Sequence, residues 1–260
     1  MNKSLDRENI ITNYLEVHGK LSTNDAISML NISESSTRRL FAEMEKSNKV
    51  SRVYGGIKLP TVSLDYVYSF DELETKNSDA KQSIAQFAAN LIENNDVIFL
   101  DCGTTILQLA IALKSRIQKS ELHNISVLTN SLPNMNVLND VCDVILIGGK
   151  YRSWRKDFSG FATEKFLRHF NYRKSFLGAD GFDAEQGFTG SDRETARLME
   201  EVITRSEKKY ILLDASKLGV LSFVPFVSAS NIDLAITDSS LTSEQALYCQ
   251  NAGLSLSVAK

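Results

Sequence analysis

"SESSTRRLFAEMEKSNKVSRVYGGI", Ser33 to Ile57, decides how this chain is read. The spacing predicts a helix from Glu34 to about Lys46, capped by Ser33. At 100° per residue, Thr37, Phe41 and Met44 fall on one side with Leu40 flanking. Ser35, Arg39 and Ala42 face away, and Arg38 lies on the shoulder. The stretch from Lys49 to Lys58 alternates loosely and contains Gly55-Gly56, which reads as a small hairpin or wing carrying Arg52.

Upstream, Leu5, Ile10, Ile11, Tyr14 and Leu15 give one apolar face between Ser4 and about Val17. Gly19 ends that helix. Ser22-Thr23-Asn24-Asp25 reads as a capping box, with the Asp25 carboxylate reaching back. A second short helix buries Ala26, Ile27, Met29 and Leu30, and Asn31-Ile32 makes a tight turn. Three helices, a tight turn and a wing are the layout of a winged helix-turn-helix. An isolated Arg-Arg pair would be an ordinary solvated helix face. Here the cap spacing and the wing give it another meaning. Small serines let the third helix lie deep in a major groove, and arginine forks onto guanine O6/N7 or clamps a phosphate. The helix N-terminus favours phosphate oxygens. The candidate DNA contacts are Ser33, Ser35, Ser36, Thr37, Arg38, Arg39 and, on the wing, Arg52.

Charge agrees weakly. Residues 1–60 hold nine Lys and Arg against seven Asp and Glu, while the whole chain carries −3, so the remainder is acidic. That is a basic head on an acidic body. No run of apolar residues is long enough for a membrane span. The first ten residues lack the apolar core of a secretory signal, so a cytoplasmic protein is expected. Cys102, Cys142 and Cys249 lack metal-ligand spacing and read as reduced thiols.

The pattern changes after a helix predicted from about Ala80 to Glu93. Short apolar runs recur with helical segments between them: "DVIFLD", "ISVLT", "DVILIGG", "KSFLGAD", "KYILLD" and "LAITD", with Leu254 to Val258 as an edge strand. Runs that are apolar almost throughout imply strands covered on both faces, hence a mainly parallel α/β sheet. Polar groups cluster at the predicted strand ends. Asp101, Gly103, Thr104 and Thr105 stand between a strand and a helix N-terminus, an arrangement suited to an anion such as phosphate. Thr129, Asn130 and Ser131 follow a second strand. Gly148-Gly149 follow a third, before a loop with Arg152, Arg155 and Ser159. Asp180 follows a fourth, and Asp214, Ser216 and Lys217 a fifth. Ligands of open α/β sheets bind at such carboxyl ends. Each group alone could be a cap or turn residue. Together they offer amides and Lys for a phosphate, and carboxylate and Asn for sugar hydroxyls. The effector candidates are Asp101, Gly103, Thr104, Thr105, Thr129, Asn130, Ser131, Asp180 and Lys217.

Both halves resemble the DeoR family of bacterial transcriptional regulators. The head carries Ser33, Ser36-Thr37-Arg38-Arg39-Leu40-Phe41 and Arg52-Val53-Tyr54-Gly55-Gly56. It departs from the family pattern at Leu40, where an aspartate is usual, at Phe41, where leucine is usual, and at Tyr54, where histidine is usual. The body carries Asp101 to Thr105, Thr129 to Ser131, Gly148-Gly149 with Phe158-Ser159-Gly160, Gly178 to Gly181, and Asp214 to Gly219. Cys102 stands in place of a serine there, and Met199-Glu200 in place of Lys-Arg. The residues themselves give a winged helix-turn-helix over residues 1–58, and Pro60 with the acidic stretch DELETK makes 59–78 a linker candidate. The resemblance makes residues 79–260 a mainly parallel α/β domain, similar in fold to ribose-5-phosphate isomerase, for effector binding and oligomerisation. It further implies a repressor of a carbohydrate-use operon that binds a double-stranded operator as a dimer or tetramer. A phosphorylated sugar or related metabolite would control it, with no cofactor and no membrane partner.

An isomerase-type enzyme is the alternative, with Asp180 or Glu194 as the base that such chemistry needs and Lys217 as a nearby charge. An appended DNA-binding head has no role in metabolite isomerisation, so no catalytic residue and no metal ligand is assigned. His18, His123 and His169 are scattered and lie in no nucleophile motif.

Overall fold

The chain divides into two compact units, residues 1–66 and 67–260. The computed structural model describes residues 7–8, 10–12, 14–15, 20–46, 50–53, 55–58 and 68–259. Gly19, Lys49 and Tyr54, which the sequence reading used, lie outside the described residues, as do residues 59–67 of the expected linker.

In the first unit, residues 7–8, 10–12 and 14–15 are helical. β1 (Lys20–Ser22), α1 (Thr23–Leu30), α2 (Glu34–Lys46), β2 (Ser51–Val53) and β3 (Gly56–Lys58) follow. The three strands form an antiparallel sheet in the order β1-β3-β2. Gly56 is required there, because a Cβ would lie 2.1 Å from the Leu21 carbonyl oxygen of β1. Asn31 takes φ 50° and ends α1 in the left-handed conformation that asparagine tolerates. The Asp25 amide donates to Ser22 Oγ at 3.0 Å, as a cap should. The Asp25 carboxylate, however, accepts from the Ser22 hydroxyl at 2.6 Å rather than from the cap's backbone amide. The core holds Ile11, Leu15, Leu21, Ala26, Leu40, Phe41, Met44, Val50 and Ile57. The apolar stripe of α2 thus faces inward, as its spacing dictates.

The second unit opens earlier than the sequence suggested. Tyr68 and α3 (Phe70–Thr75) belong to the body rather than to a linker ending at residue 78. Tyr68 and Phe70 bury their rings against Leu107, with Leu73 alongside. α4 (Ser78–Ala89), β4 (Val97–Leu100), α5 (Thr104–Gln118), β5 (Ser126–Thr129), α6 (Leu132–Leu138) and β6 (Asp143–Leu146) follow. After a hairpin, β7 (Lys150–Arg152) and β8 (Asp157–Ser159), come α7 (Phe161–Leu167) and β9 (Tyr172–Gly178). The rest comprises β10 (Gly181–Asp183), β11 (Gly187–Gly190), α8 (Arg193–Thr204), β12 (Ser206–Leu212), β13 (Val224–Val227), β14 (Leu234–Thr237), α9 (Ser243–Asn251) and β15 (Leu256–Val258).

Seven strands form one parallel sheet in the order β15-β14-β12-β9-β4-β5-β6. All seven apolar runs of the sequence are in it, with Leu256–Val258 at one edge. Alternate residues serve opposite faces. Ile98, Leu100, Val127 and Phe176 pack with Ile84, Ala88, Ile106 and Leu113 of α4 and α5. Phe99, Leu128, Leu177 and Ile211 pack with Leu198 and Val202 of α8 and with Phe182, Phe188 and Phe226 of a small antiparallel sheet, β10-β11-β13. Burial on both faces is why these strands read as unbroken apolar runs.

Strand order also fixes where a ligand can enter. From β4 the chain moves outward through β5 to β6, then returns to the other side of β4 with β9 and continues through β12, β14 and β15. The β4–β9 boundary is therefore the switch point at which crevices open in such sheets.

Candidate functional site

The head presents hydroxyls and guanidiniums on the outer face of α2. Ser33 Oγ lies 3.0 Å from Ser35 Oγ and 2.9 Å from Ser36 Oγ, and it accepts the Ser36 amide at 3.3 Å. This hydroxyl cluster and the free amides of the first turn face solvent together. The Arg38 and Arg39 side chains are 67% and 83% exposed, which leaves them available to a polyanion. Arg38 pairs with Glu34 at 2.6 Å and Arg39 with Glu43 at 3.1 Å, each one turn away on α2. Thr37 departs from the set. It is fully buried, and its hydroxyl donates to the Ser33 carbonyl at 3.1 Å, so it packs the helix onto the core and presents nothing to a groove.

In the body, the switch point is held by one carboxylate. Asp101 follows β4, and its Oδ2 accepts from the amide of Gly178, the last residue of β9, at 3.1 Å. Its other oxygen, Oδ1, is buried without a partner. Burial pushes the Asp101 carboxyl above its ordinary value, against the pull of the Cys102 and Gly178 amides. Burial likewise pushes the neighbouring Cys102 thiol up, so it is a poor nucleophile.

Gly103 is the N-cap of α5 and contributes no side-chain acceptor. Ser131, Asp192 and Thr242 cap their helices with a side chain. The first turn of the fifteen-residue α5 therefore keeps unsatisfied amide donors beside Thr104 and Thr105, the local arrangement that binds anions. Internal packing does not call for glycine here, because a Cβ on Gly103 would meet only Ile106 at 3.8 Å.

The remaining sequence candidates fall into two groups. Thr129 is internal scaffolding: its hydroxyl donates to the Leu100 carbonyl at 2.6 Å and accepts from the Ser131 amide at 3.1 Å. Ser131 caps α6, accepting from the Asn134 amide at 3.3 Å. Asn130 donates to the Phe158 carbonyl at 3.1 Å, while its Oδ1 is buried and unpartnered. Asp180 follows β9 and Lys217 follows β12. Asp180 accepts from the Ser191 amide at 2.8 Å, and Lys217 donates to the Ala179 carbonyl at 2.7 Å.

Three cations stand beside these residues: Arg152 and Arg155 from the loop already noted after the third strand, and Lys81, which the sequence reading did not single out. Lys81 is buried on α4 and donates to the carbonyls of Leu73 and Lys76. Burial and the nearby Lys217 lower its ammonium to about 8, with Asp214 acting in the opposite sense. Its signal in the sequence was a lysine in register with Ile84, Ala85 and Ala88 on an otherwise apolar stripe. Arg152 forks onto Asp157 at 2.8 and 2.5 Å and reaches Asp192 at 2.9 Å. Arg155 lies with its guanidinium 3.8 Å from the centre of the Tyr68 ring, donates to Ser191 Oγ at 3.1 Å, and pairs with Asp192 at 3.3 Å and, through Nε, with Asp157 at 3.6 Å. Among the described residues no cluster of His, Cys, Asp and Glu could hold a metal ion.

The profile described as DeoR-like helix-turn-helix domain matches residues 7–62, and that described as DeoR C terminal sensor domain matches residues 76–239. The chain belongs to the DeoR family. It is similar to the HTH-type transcriptional regulator GolR of Listeria innocua, at 31% identity over 98% of each chain. It is also similar to the lactose phosphotransferase system repressor of Staphylococcus epidermidis, at 30% identity over 92% of this chain and 93% of the relative. The HTH-type transcriptional regulator IolR of Bacillus subtilis is 25% identical over 95% of this chain and 96% of its own. Among solved structures, ribose 5-phosphate isomerase A of Methanocaldococcus jannaschii superposes with a TM-score of 0.41 and 19% identity over 55% of each chain. That overlap is too loose to carry an argument about the site. In this DeoR-family regulator, no helix among the described residues is long and apolar enough to cross a membrane.

Proposed function

We propose that this DeoR-family regulator is a repressor of a carbohydrate-use operon, released or engaged by a phosphorylated sugar. Ser33, Ser35, Ser36, Arg38 and Arg39 are the operator contacts, with the hydroxyl cluster on phosphate and the two arginines on phosphate or guanine. One head covers only a short half-site, so the working form is a dimer or tetramer. The relative from Staphylococcus epidermidis, a repressor of a sugar phosphotransferase system, agrees with a sugar-linked operon.

The observation that carries the sensor reading is the uncapped start of α5 at the switch point. Unsatisfied amides at Gly103 to Thr105 seat the phosphate. Lys81 and Lys217 supply positive charge. Asp180 and the free oxygens of Asp101 and Asn130 accept sugar hydroxyls. Control follows only if the ligand binds the DNA-competent and DNA-incompetent states with different strength. The protein is not an enzyme in this reading: Asp180 and Glu194 accept from Ser191 and Ser159, and they serve binding rather than proton abstraction.

The test is selection of bound fragments from a random duplex pool, followed by titration of the recovered complex with sugar phosphates. Enrichment of one palindromic sequence, and a change in its affinity with one sugar phosphate, is the expected result. An unenriched pool would refute the operator reading. Ketose formation from an aldose phosphate at the purified protein would favour the isomerase alternative.

A further inference from the structure

The wing arginine is arranged differently from the two on α2. Arg38 and Arg39 each have one glutamate partner and otherwise face solvent. Arg52, on β2, is engaged from three sides. Its Nη2 donates to the main-chain carbonyl of Arg38 at 2.9 Å, its Nε lies 3.7 Å from Glu45 Oε2, and its guanidinium carbon sits 5.8 Å from the centre of the Phe41 ring. Glu45 completes the arrangement by accepting the Arg52 backbone amide on its other oxygen at 3.3 Å. One carboxylate on the last turn of α2 thus holds both the main chain and the side chain of the wing residue. The guanidinium in turn caps a carbonyl in the middle of the same helix. The Arg52 side chain is 39% exposed, less than half the figure for Arg39.

We propose that Glu45 and Arg52 form a brace that sets the wing against the recognition helix, and that Arg52 is a positioning residue rather than a phosphate contact. This rests on the reading of the head as a DNA-binding module. Two physical arguments favour it. The Arg52 guanidinium is turned back onto the Arg38 carbonyl and is 39% exposed, against 67% and 83% for the side chains of Arg38 and Arg39, so its donors point along the helix rather than out to a phosphate. A wing of three-residue strands needs an external tie to hold its angle, because so short a ladder fixes little by itself. The brace runs between main-chain atoms at one end of each arm, so it transmits backbone position and not merely charge.

Binding of the full-length protein to a duplex of arbitrary sequence, followed over a range of salt concentrations, separates the two roles. Each phosphate that a cation neutralises adds about 0.9 to the slope of log K against log salt. Arg39→Gln is the calibration and should lower that slope by about 0.9 for each head bound. The brace predicts that Arg52→Gln leaves the slope at the wild-type value and weakens binding about two- to fivefold, the range of an exposed ion pair. Glu45→Gln should weaken binding in the same direction at the high-salt end, where general charge effects are screened. The double variant should be no weaker than either single one. A slope reduced by about 0.9 for each head bound in Arg52→Gln, or tighter binding in Glu45→Gln at high salt, overturns the proposal. Unchanged slope and unchanged affinity in Arg39→Gln would instead count against the DNA-contact assignment of α2, a result distinct from failure of the brace.

Discussion

The carboxylate of Asp101 accepts the amide of Gly178 at 3.1 Å and ties β4 to β9, the two strands on either side of the reversal in sheet order. Around this tie lie the uncapped start of α5, the free Oδ1 of the same aspartate, and the lysine that reaches over from β12. The proposed sensor site follows from topology: at such a reversal of strand order the loops diverge, and polar groups that end the strands gather there.

Gly103→Asp fills the proposed anion seat from within the chain. A Cβ fits at this position, and an aspartate there would supply the missing N-cap acceptor. Replacing an N-cap glycine by aspartate gains a few tenths, or about 0.3 kcal/mol, of helix stability. A small rise in melting temperature is expected from scanning calorimetry, together with loss of any response to sugar phosphate, because the new carboxylate occupies the seat.

Lys81 makes the sensor sensitive to pH. Its folded-state value is about 8 against an ordinary value of 10.5, so the folded protein disfavours the charged ammonium. The unfolded chain therefore binds the proton more tightly, and this cost is present in full below about 8. It is relieved as pH rises from about 8 towards 10.5. A bound phosphate reverses the preference by holding the ammonium charged. Calorimetry in buffers of different ionisation enthalpy should show proton uptake on sugar phosphate binding at pH values near and above 8. In Lys81→Met that uptake should vanish and affinity should fall.

Tyr68 is expected to matter more than its place in a presumed linker suggested. Its ring packs beneath the buried Arg155, and the Phe70 amide just beyond donates to the Trp154 carbonyl at 2.9 Å. Burial also pushes its phenol well above the ordinary value, so the ring stays neutral. Tyr68→Leu should cost about 2 kcal/mol, the value of a desolvated cation–π contact, in denaturant unfolding of the body. Tyr68→Phe keeps the ring and should cost much less. Equal losses in the two variants would contradict the stacking account.

Arg39→Ala should weaken operator binding by about 1–3 kcal/mol if its fork meets guanine, with the loss concentrated at one base position. Competition between the operator and single-base variants reads this directly. A uniform loss across sequences would place Arg39 on phosphate alone.

Much of this was legible in the sequence because burial on both faces leaves unbroken apolar runs, and all seven strands of the main sheet declared themselves that way. The inward stripe of α2 was equally plain from its spacing. The β10-β11-β13 sheet was not, since "GFD", "GFTG" and "VPFV" are short, carry glycine or proline, and show no alternation. The α3 segment was concealed by its acidic composition, which resembles a linker although Phe70 is buried. The strand-end residues could be named from the sequence because position along the chain predicts where strands stop. The pairing of Arg155 with Tyr68 could not, because it depends on tertiary contact between segments far apart in sequence. Thr37 and Thr129 illustrate a related point: a threonine hydroxyl serves the backbone as readily as a ligand, and in the fold both donate to main-chain carbonyls.

The account stands most directly on thermal unfolding of the wild type and Gly103→Asp against sugar phosphates and their unphosphorylated sugars. A ligand that binds only the folded state raises its melting temperature. At least one sugar phosphate should raise that of the wild type, the matching free sugar should not, and Gly103→Asp should show no shift with either. A wild type indifferent to every sugar phosphate, or a shift that persists in Gly103→Asp, would contradict a phosphate seat at the start of α5.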